Sequence, residues 1–194
     1  MRIYIRHSDK EYSNGENEIY KHDPGLSDIG LENIKKQIKF LFLKPDKIFC
    51  SPYLRTRQTA ELIKTEFLNI FPNLEIPIII DTTISEYLGN HVSAAIDVRE
   101  STAIYNPPHP ETIYEFDNRI YKHYDNHLEY DNSDQVILYV THGIVLKKIL
   151  KYMGYQTKIQ LPPCSIVMFK PDSAEVKYGD SSITLKPSRL YQPI

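Results

Sequence analysis

The run from Gln135 to Val140 constrains the fold most. Its nearly continuous apolar character is that of a central strand covered on both faces of a parallel sheet. It ends in Thr141-His142-Gly143, after which Val145, Leu146, Ile149, Leu150 and Met153 recur at helical spacing. Gly154 then stands where a helix C′ cap is expected. A parallel strand of this kind needs further strands alternating with helices, since both faces of its sheet must be buried.

The rest of the chain supplies them. Arg2 to Ile5 reads as a short strand ending at Arg6-His7. The polar stretch from Asp9 to Gly25 reads as a long loop. Ser27 is placed as the N-cap of a helix carrying Ile34, Ile38, Leu41 and Phe42. Lys47 to Cys50 is a second strand, followed by a helix with Leu54, Leu62, Ile63 and Phe67 that stops before Pro72. Pro77 to Asp81 is a third strand. Residues 82–110 form a long polar segment without clear period, read as a substrate-side insertion. A helix is expected from about Glu111, with Ile113, Phe116, Ile120 and Tyr124 on one face. Ser165 to Lys170 and Glu175 to Tyr178 read as late strands at the sheet edge, and the polar tail from Gly179 as loosely held. The expectation is one α/β domain over residues 1–194, built on a mostly parallel sheet covered on both faces.

A net charge of −2 gives no electrostatic case for nucleic acid or membrane as a partner. Cys50 and Cys164 lie in apolar surroundings and read as buried thiols rather than a disulfide framework. With no signal-like or membrane-spanning apolar stretch, the expected setting is soluble, reduced and cytoplasmic.

Three strand ends carry chemistry: Arg6-His7, Cys50-Ser51 just before Arg55, and Thr141-His142. In a parallel sheet these ends share one edge, where open α/β sheets bind ligands. Two helix N-termini are expected there as well, adding partial positive charge and N–H donors. Two arginines, two histidines and two helix dipoles suit an anion, and a phosphate dianion best, because guanidinium forks match its oxygens. Glu86 follows the third strand on the same edge. A carboxyl group close to a phosphate can stay protonated and supply a proton to a leaving group; the alternative is an ordinary loop carboxylate.

Other phosphate chemistries lack their motifs. There is no Gly-rich loop followed by Lys-Ser/Thr. A Cys-x5-Arg loop fails because Thr56 stands where the arginine belongs. The histidines read as scattered, without ligand spacing such as His-x3-His, so neither metal nor cofactor is expected. Histidine remains as the candidate nucleophile.

These residues resemble the histidine phosphatase (phosphoglycerate mutase-like) superfamily. Arg6-His7 is similar to its opening Arg-His-Gly, and Leu26-Ser27-Asp28-Ile29-Gly30, preceded by Asp23-Pro24, to its Leu-Thr-x-x-Gly. Ser51-Pro52-Tyr53-Leu54-Arg55-Thr56-Arg57-Gln58-Thr59-Ala60-Glu61 is close to the Ser-Pro-Leu-x-Arg-Ala-x-Gln-Thr-Ala-Glu segment and is the most specific match. Ile84 to Gly89 resembles the segment holding the acid, Pro110-Glu111-Thr112 a Gly-Glu-Ser helix opening, and Thr141-His142-Gly143 the second His-Gly.

The resemblance implies a single-domain three-layer α/β/α sandwich and a metal-free phosphomonoesterase. His7 would become phosphohistidine, Arg6, Arg55 and His142 would hold the phosphoryl oxygens, and Glu86 would be the proton donor. Arg6 would keep His7 unprotonated. Ser13 and Asn14 fall near the spacing of a family asparagine that contacts substrate. Ser8 replaces the family glycine after the histidine and would either add a hydroxyl contact or crowd the site. Arg57, His91 and His109 read as solvated, and Tyr87 and Tyr105 as possible stacking partners for an aromatic phosphate. The expected substrate is a small-molecule or phosphoprotein phosphomonoester. The alternatives are a phosphoglycerate mutase-type phosphotransferase and an inactive phospholigand-binding module.

Overall fold

The structure, a computed structural model, describes residues 1–11, 23–41, 43–87, 89, 111–128, 134–155, 158–170 and 172–187. In chain order its elements are β1 (Arg2–Arg6), α1 (Asp28–Ile38), β2 (Lys47–Cys50), α2 (Leu54–Ile70), β3 (Ile78–Ile80), a 3-10 turn (Thr82–Ile84), α3 (Ile113–Asn126), β4 (Ile137–Thr141), α4 (Gly143–Tyr152), β5 (Ile166–Lys170), β6 (Ser173–Tyr178) and β7 (Ser181–Leu185). The strands form one sheet in the order β3-β2-β4-β1-β5-β6-β7. β3, β2, β4 and β1 pair in parallel, and β5, β6 and β7 then add antiparallel. Four strands thus deliver their carboxyl ends to one edge, as the strand–helix alternation predicts.

Pleating sorts the strand residues between two cores. Ile3, Ile5, Ile48, Leu138 and Val140 pack with Ile34 and Ile38 of α1 and Ile63 and Phe67 of α2. Tyr4, Phe49, Ile137 and Tyr139 face the other way, toward Phe116 and Ile120 of α3 and Val145 and Ile149 of α4. The result is the expected α/β/α sandwich.

The helix ends follow local chemistry. The Ser27 hydroxyl accepts from the Gly30 N–H at 3.1 Å and caps α1. Thr112 and Glu115 form a capping box at α3. α4 closes with the Tyr155 N–H on the Leu150 carbonyl at 2.9 Å and the Gly154 N–H on that of Lys151 at 3.0 Å, with Gly154 at φ 79°.

Two expectations need correction. On α3 the buried face is Phe116, Ile120 and His123, while Ile113 is exposed, because it occupies the first turn beyond the sheet's cover. The tail from Gly179 carries β7, which pairs with β6 along its length. Its first four residues are exposed, so backbone pairing rather than an apolar pattern defines it. Residues 188–194 and most of 82–110 lie outside the described residues. Among the described residues, no helix is long and apolar enough to cross a membrane.

Candidate active site

Strand register builds the site. β1 and β4 pair as far as Arg6 with Thr141, so His7 and His142 emerge side by side. The His7 N–H donates to the Thr141 carbonyl at 2.8 Å, and the two imidazole centroids are 5.2 Å apart. β2 ends level with β4 at Cys50, and the Ser51 N–H donates to the Val140 carbonyl at 3.0 Å. This brings the Ser51 hydroxyl to 2.8 Å from Nε2 of His142.

His7 is buried, and its Nδ1 lies 2.6 Å from the Ser8 carbonyl oxygen. A carbonyl only accepts, so Nδ1 carries the proton and Nε2 the lone pair. Burial, then the Arg55 charge, with Arg6 and Lys10 behind, lowers the His7 pKa from 6.5 to about 3 despite the Ser8 contact. Arg6 acts in the expected direction on this ring, but burial leads and Arg55 outweighs Arg6. His142 is fully buried, and desolvation followed by Arg55 holds it well below the usual histidine range.

Arg55 is the leading charge acting on both rings. Its Nη1 is 3.4 Å from Oδ1 of Asp23 and its Nη2 donates to Oε2 of Glu86. Asp23 Oδ1 also accepts from the Leu54 N–H at 2.7 Å. The N-terminus of α2 is therefore occupied by a carboxylate from this chain, which differs from the expected pair of open helix ends. The Tyr53 ring lies under the Arg55 guanidinium at 4.7 Å and against His142 at 5.2 Å. Glu86 is partly exposed, and its Oε2 is 3.7 Å from Nδ1 of His142.

A second set of contacts holds Glu86. Arg119 of α3 donates to both carboxylate oxygens of Glu111, with Nε at 3.0 Å. Its Nη1 donates to the carbonyls of Thr83 at 2.7 Å and Ser85 at 3.1 Å. The Thr141 hydroxyl donates to the Ile84 carbonyl at 2.7 Å. The three residues before Glu86 are thus tied to α3 and β4.

Ser8 is fully buried. Its hydroxyl donates to the Gly30 carbonyl at 2.7 Å and accepts from the Cys164 thiol at 2.9 Å. Gly30 permits this packing, since a Cβ there would lie 2.1 Å from the Asp9 carbonyl oxygen. Both cysteines are buried and free, and desolvation pushes Cys50 up to about 12 and Cys164 to about 11.

The sequence model of the histidine phosphatase superfamily (branch 1) matches residues 3–178. The chain belongs to the histidine phosphatase superfamily. No curated protein matches it significantly. Solved structures share its fold at low identity. The alpha-ribazole phosphatase from Shigella flexneri is 18% identical, with a TM-score of 0.61 over 93% of this chain and 96% of that one. The phosphoserine phosphatase from Entamoeba histolytica is 16% identical, with a TM-score of 0.56 over 97% of both chains. A phosphoglycerate mutase from Bacillus anthracis str. Sterne is 13% identical, with a TM-score of 0.59 over 95% of this chain and 91% of that one.

In this member of the superfamily, Arg6, His7, Arg55, Glu86 and His142 lie at or after the carboxyl ends of four strands, on one sheet edge. Ser13, Asn14, His91, His109 and Tyr105 lie outside the described residues. Tyr87 packs its ring against Phe116, 5.1 Å between centroids. Sequence reasoning missed Asp23, Ser51, Tyr53, Glu111 and Arg119 as site-building residues. Asp23, Ser51, Tyr53 and Glu111 stood within quoted motifs, which was the available signal; Arg119 stood in none.

Proposed function

We propose that the chain is a metal-independent phosphomonoesterase working through a phosphohistidine on His7. The observation that carries this reading is the state of His7: a buried, neutral ring whose Nδ1–H is tied to the Ser8 carbonyl, leaving Nε2 as the nucleophile. Arg6 Nε, Arg55 Nε and His142 Nδ1 support it. They are buried and have no hydrogen-bond partner among the described residues. Buried donors of this kind call for acceptor oxygens, which a phosphoryl group supplies.

In the first step His7 Nε2 attacks phosphorus and the bond to the leaving oxygen breaks. Glu86, entering this step protonated, gives its proton to that oxygen. In the second, water attacks the phosphohistidine, the P–N bond breaks, and Glu86 takes the water's proton. Phosphate leaves and His7 returns to its neutral form. Arg6, Arg55 and His142 offset the oxygen charge in both transition states.

Phosphate release from an aryl phosphate between about pH 5 and 8, in excess chelator, tests the reading. Wild type should turn over, and His7→Ala should lose at least about 10³-fold. Turnover surviving in His7→Ala would place the nucleophile elsewhere. No wild-type turnover on aryl, sugar or nucleotide phosphates would favour the mutase or binding-module alternatives.

A further inference from the structure

A second cluster of chemistry-bearing side chains lies on the α3 side of the sheet, and the phosphatase reading does not use it. His123 and His127 stand four residues apart on α3 and at its C-cap, and Asp81 follows β3. This is His-x3-His spacing, which corrects the expectation that the histidines are scattered. One ligand atom from each of the three residues lies within 4.8 Å of the others. Asp81 Oδ2 is 3.1 Å from Nδ1 of His123 and 3.8 Å from Nε2 of His127.

The outward nitrogens are fixed by tyrosines. Nε2 of His123 is 3.2 Å from the Tyr4 hydroxyl, and Nδ1 of His127 is 2.8 Å from the Tyr139 hydroxyl. Tyr4 and Tyr139 are register partners on adjacent strands, stacked at 4.4 Å. Phe49 extends the stack on β2 at 5.4 Å from Tyr139, with the His127 ring edge-on to it at 4.8 Å. Without an ion, Nδ1 of His123 donates to the Asp81 carboxylate. A phenol accepts as well as donates, so on metal binding each tyrosine can take its ring's N–H and leave the other nitrogen's lone pair to the ion. That is the outer-shell arrangement that orients metal-binding imidazoles.

We infer that Asp81, His123 and His127 form a binding site for a divalent first-row transition ion such as Zn2+. Two imidazoles and one carboxylate are borderline ligands suited to this class and poorly suited to Mg2+ or Ca2+. Three protein ligands leave one tetrahedral position for water. The ion ties α3 to the 3-10 turn leading to Glu86, one helical turn from the grip of Arg119 on Thr83 and Ser85. Arg2 and Lys47 lie within electrostatic reach of His127 and oppose the ion's charge. The site therefore relies on its ligand geometry rather than on a negative field.

Co2+ titration of the metal-free full chain, followed by visible absorption and thermal melting, tests this. Wild type should bind one Co2+ with a tetrahedral d–d spectrum and melt higher with metal. His127→Gln should weaken binding by at least about tenfold, since outer-shell losses alone cost that much. Binding undiminished in His127→Gln, or absent in wild type, would overturn the inference and leave an Asp–His hydrogen-bond network. Because His127→Gln could loosen α3, X-ray absorption at the zinc edge of Zn2+-loaded wild type gives an independent reading. Two imidazole nitrogens and a carboxylate oxygen at about 2.0–2.2 Å are expected; one imidazole or none would also overturn it.

Discussion

Arg119 holds Glu111 with its Nε 3.0 Å from Oε2, and the same guanidinium reaches across to the carbonyls of Thr83 and Ser85. A buried ion pair is thereby turned into a brace for the residue before Glu86. Arg119→Ala should lower kcat on an alkyl phosphate by about 10–100-fold with KM nearly unchanged, because the acid is misplaced while the phosphate cradle stays. It should also destabilise the fold by about 3 kcal/mol, because Glu111 is left buried and unpaired. A matched fall in stability with kcat intact would show that the brace does not position Glu86.

Glu86 itself should matter in proportion to the leaving group. An aryl phosphate leaves as a stabilised phenolate and needs little proton transfer; an alkyl phosphate needs much more. Glu86→Gln should cost about 10²-fold or more on the alkyl substrate and clearly less on the aryl one. Equal losses on both substrates would count against proton donation by Glu86.

Much of this was readable without coordinates, and what was not has a physical reason. Ser27, Gly154 and the Gln135–Val140 run declare themselves because caps and buried strands depend on residues near in sequence. Arg6, His7 and His142 could be paired because parallel strands share an edge. Asp23 with Arg55, and Arg119 with Thr83, lie 32 and 36 residues apart, so only the folded chain shows them as partners. β7 escaped because its exposed side chains carry no apolar alternation, while its bond to β6 is backbone. The His123–His127 spacing was visible and overlooked; its third member, Asp81, is 42 residues from His123.

Buried neutral histidines make the fold acid-sensitive in a defined window. The folded His7 pKa is lowered from 6.5 to about 3, so between those values the unfolded chain binds the proton and the folded chain does not. Stability should therefore fall as pH drops below about 6.5, by about 1.4 kcal/mol per pH unit for one such group. His142, also held well below its usual range, adds in the same direction. Urea unfolding of wild type and His7→Gln at pH 7, 6 and 5 should show a shallower slope in the variant. An unchanged slope would mean that the buried His7 ring is protonated along with the unfolded one.

Ser8 directly follows His7, and its hydroxyl is taken up by the Gly30 carbonyl and the Cys164 thiol. It donates to the Gly30 carbonyl at 2.7 Å and takes the Cys164 thiol at 2.9 Å, so it fastens the loop after β1 to α1 and to the segment before β5. Ser8→Gly removes two buried hydrogen bonds, the hydroxyl's to the Gly30 carbonyl and the Cys164 thiol's to the hydroxyl, which should cost about 1–3 kcal/mol. The greater freedom of glycine in the unfolded chain adds to that loss. The phosphoryl cradle keeps all its donors, so kcat/KM should stay within about twofold, a change worth less than half of 1.4 kcal/mol in barrier. Melting temperature and steady-state kinetics on the same preparation decide the matter. A lower melting point with full activity fits a serine that acts as a rivet in the wall behind the nucleophile. A large change in kcat/KM at unchanged stability would mean that its hydroxyl works on the substrate side after all.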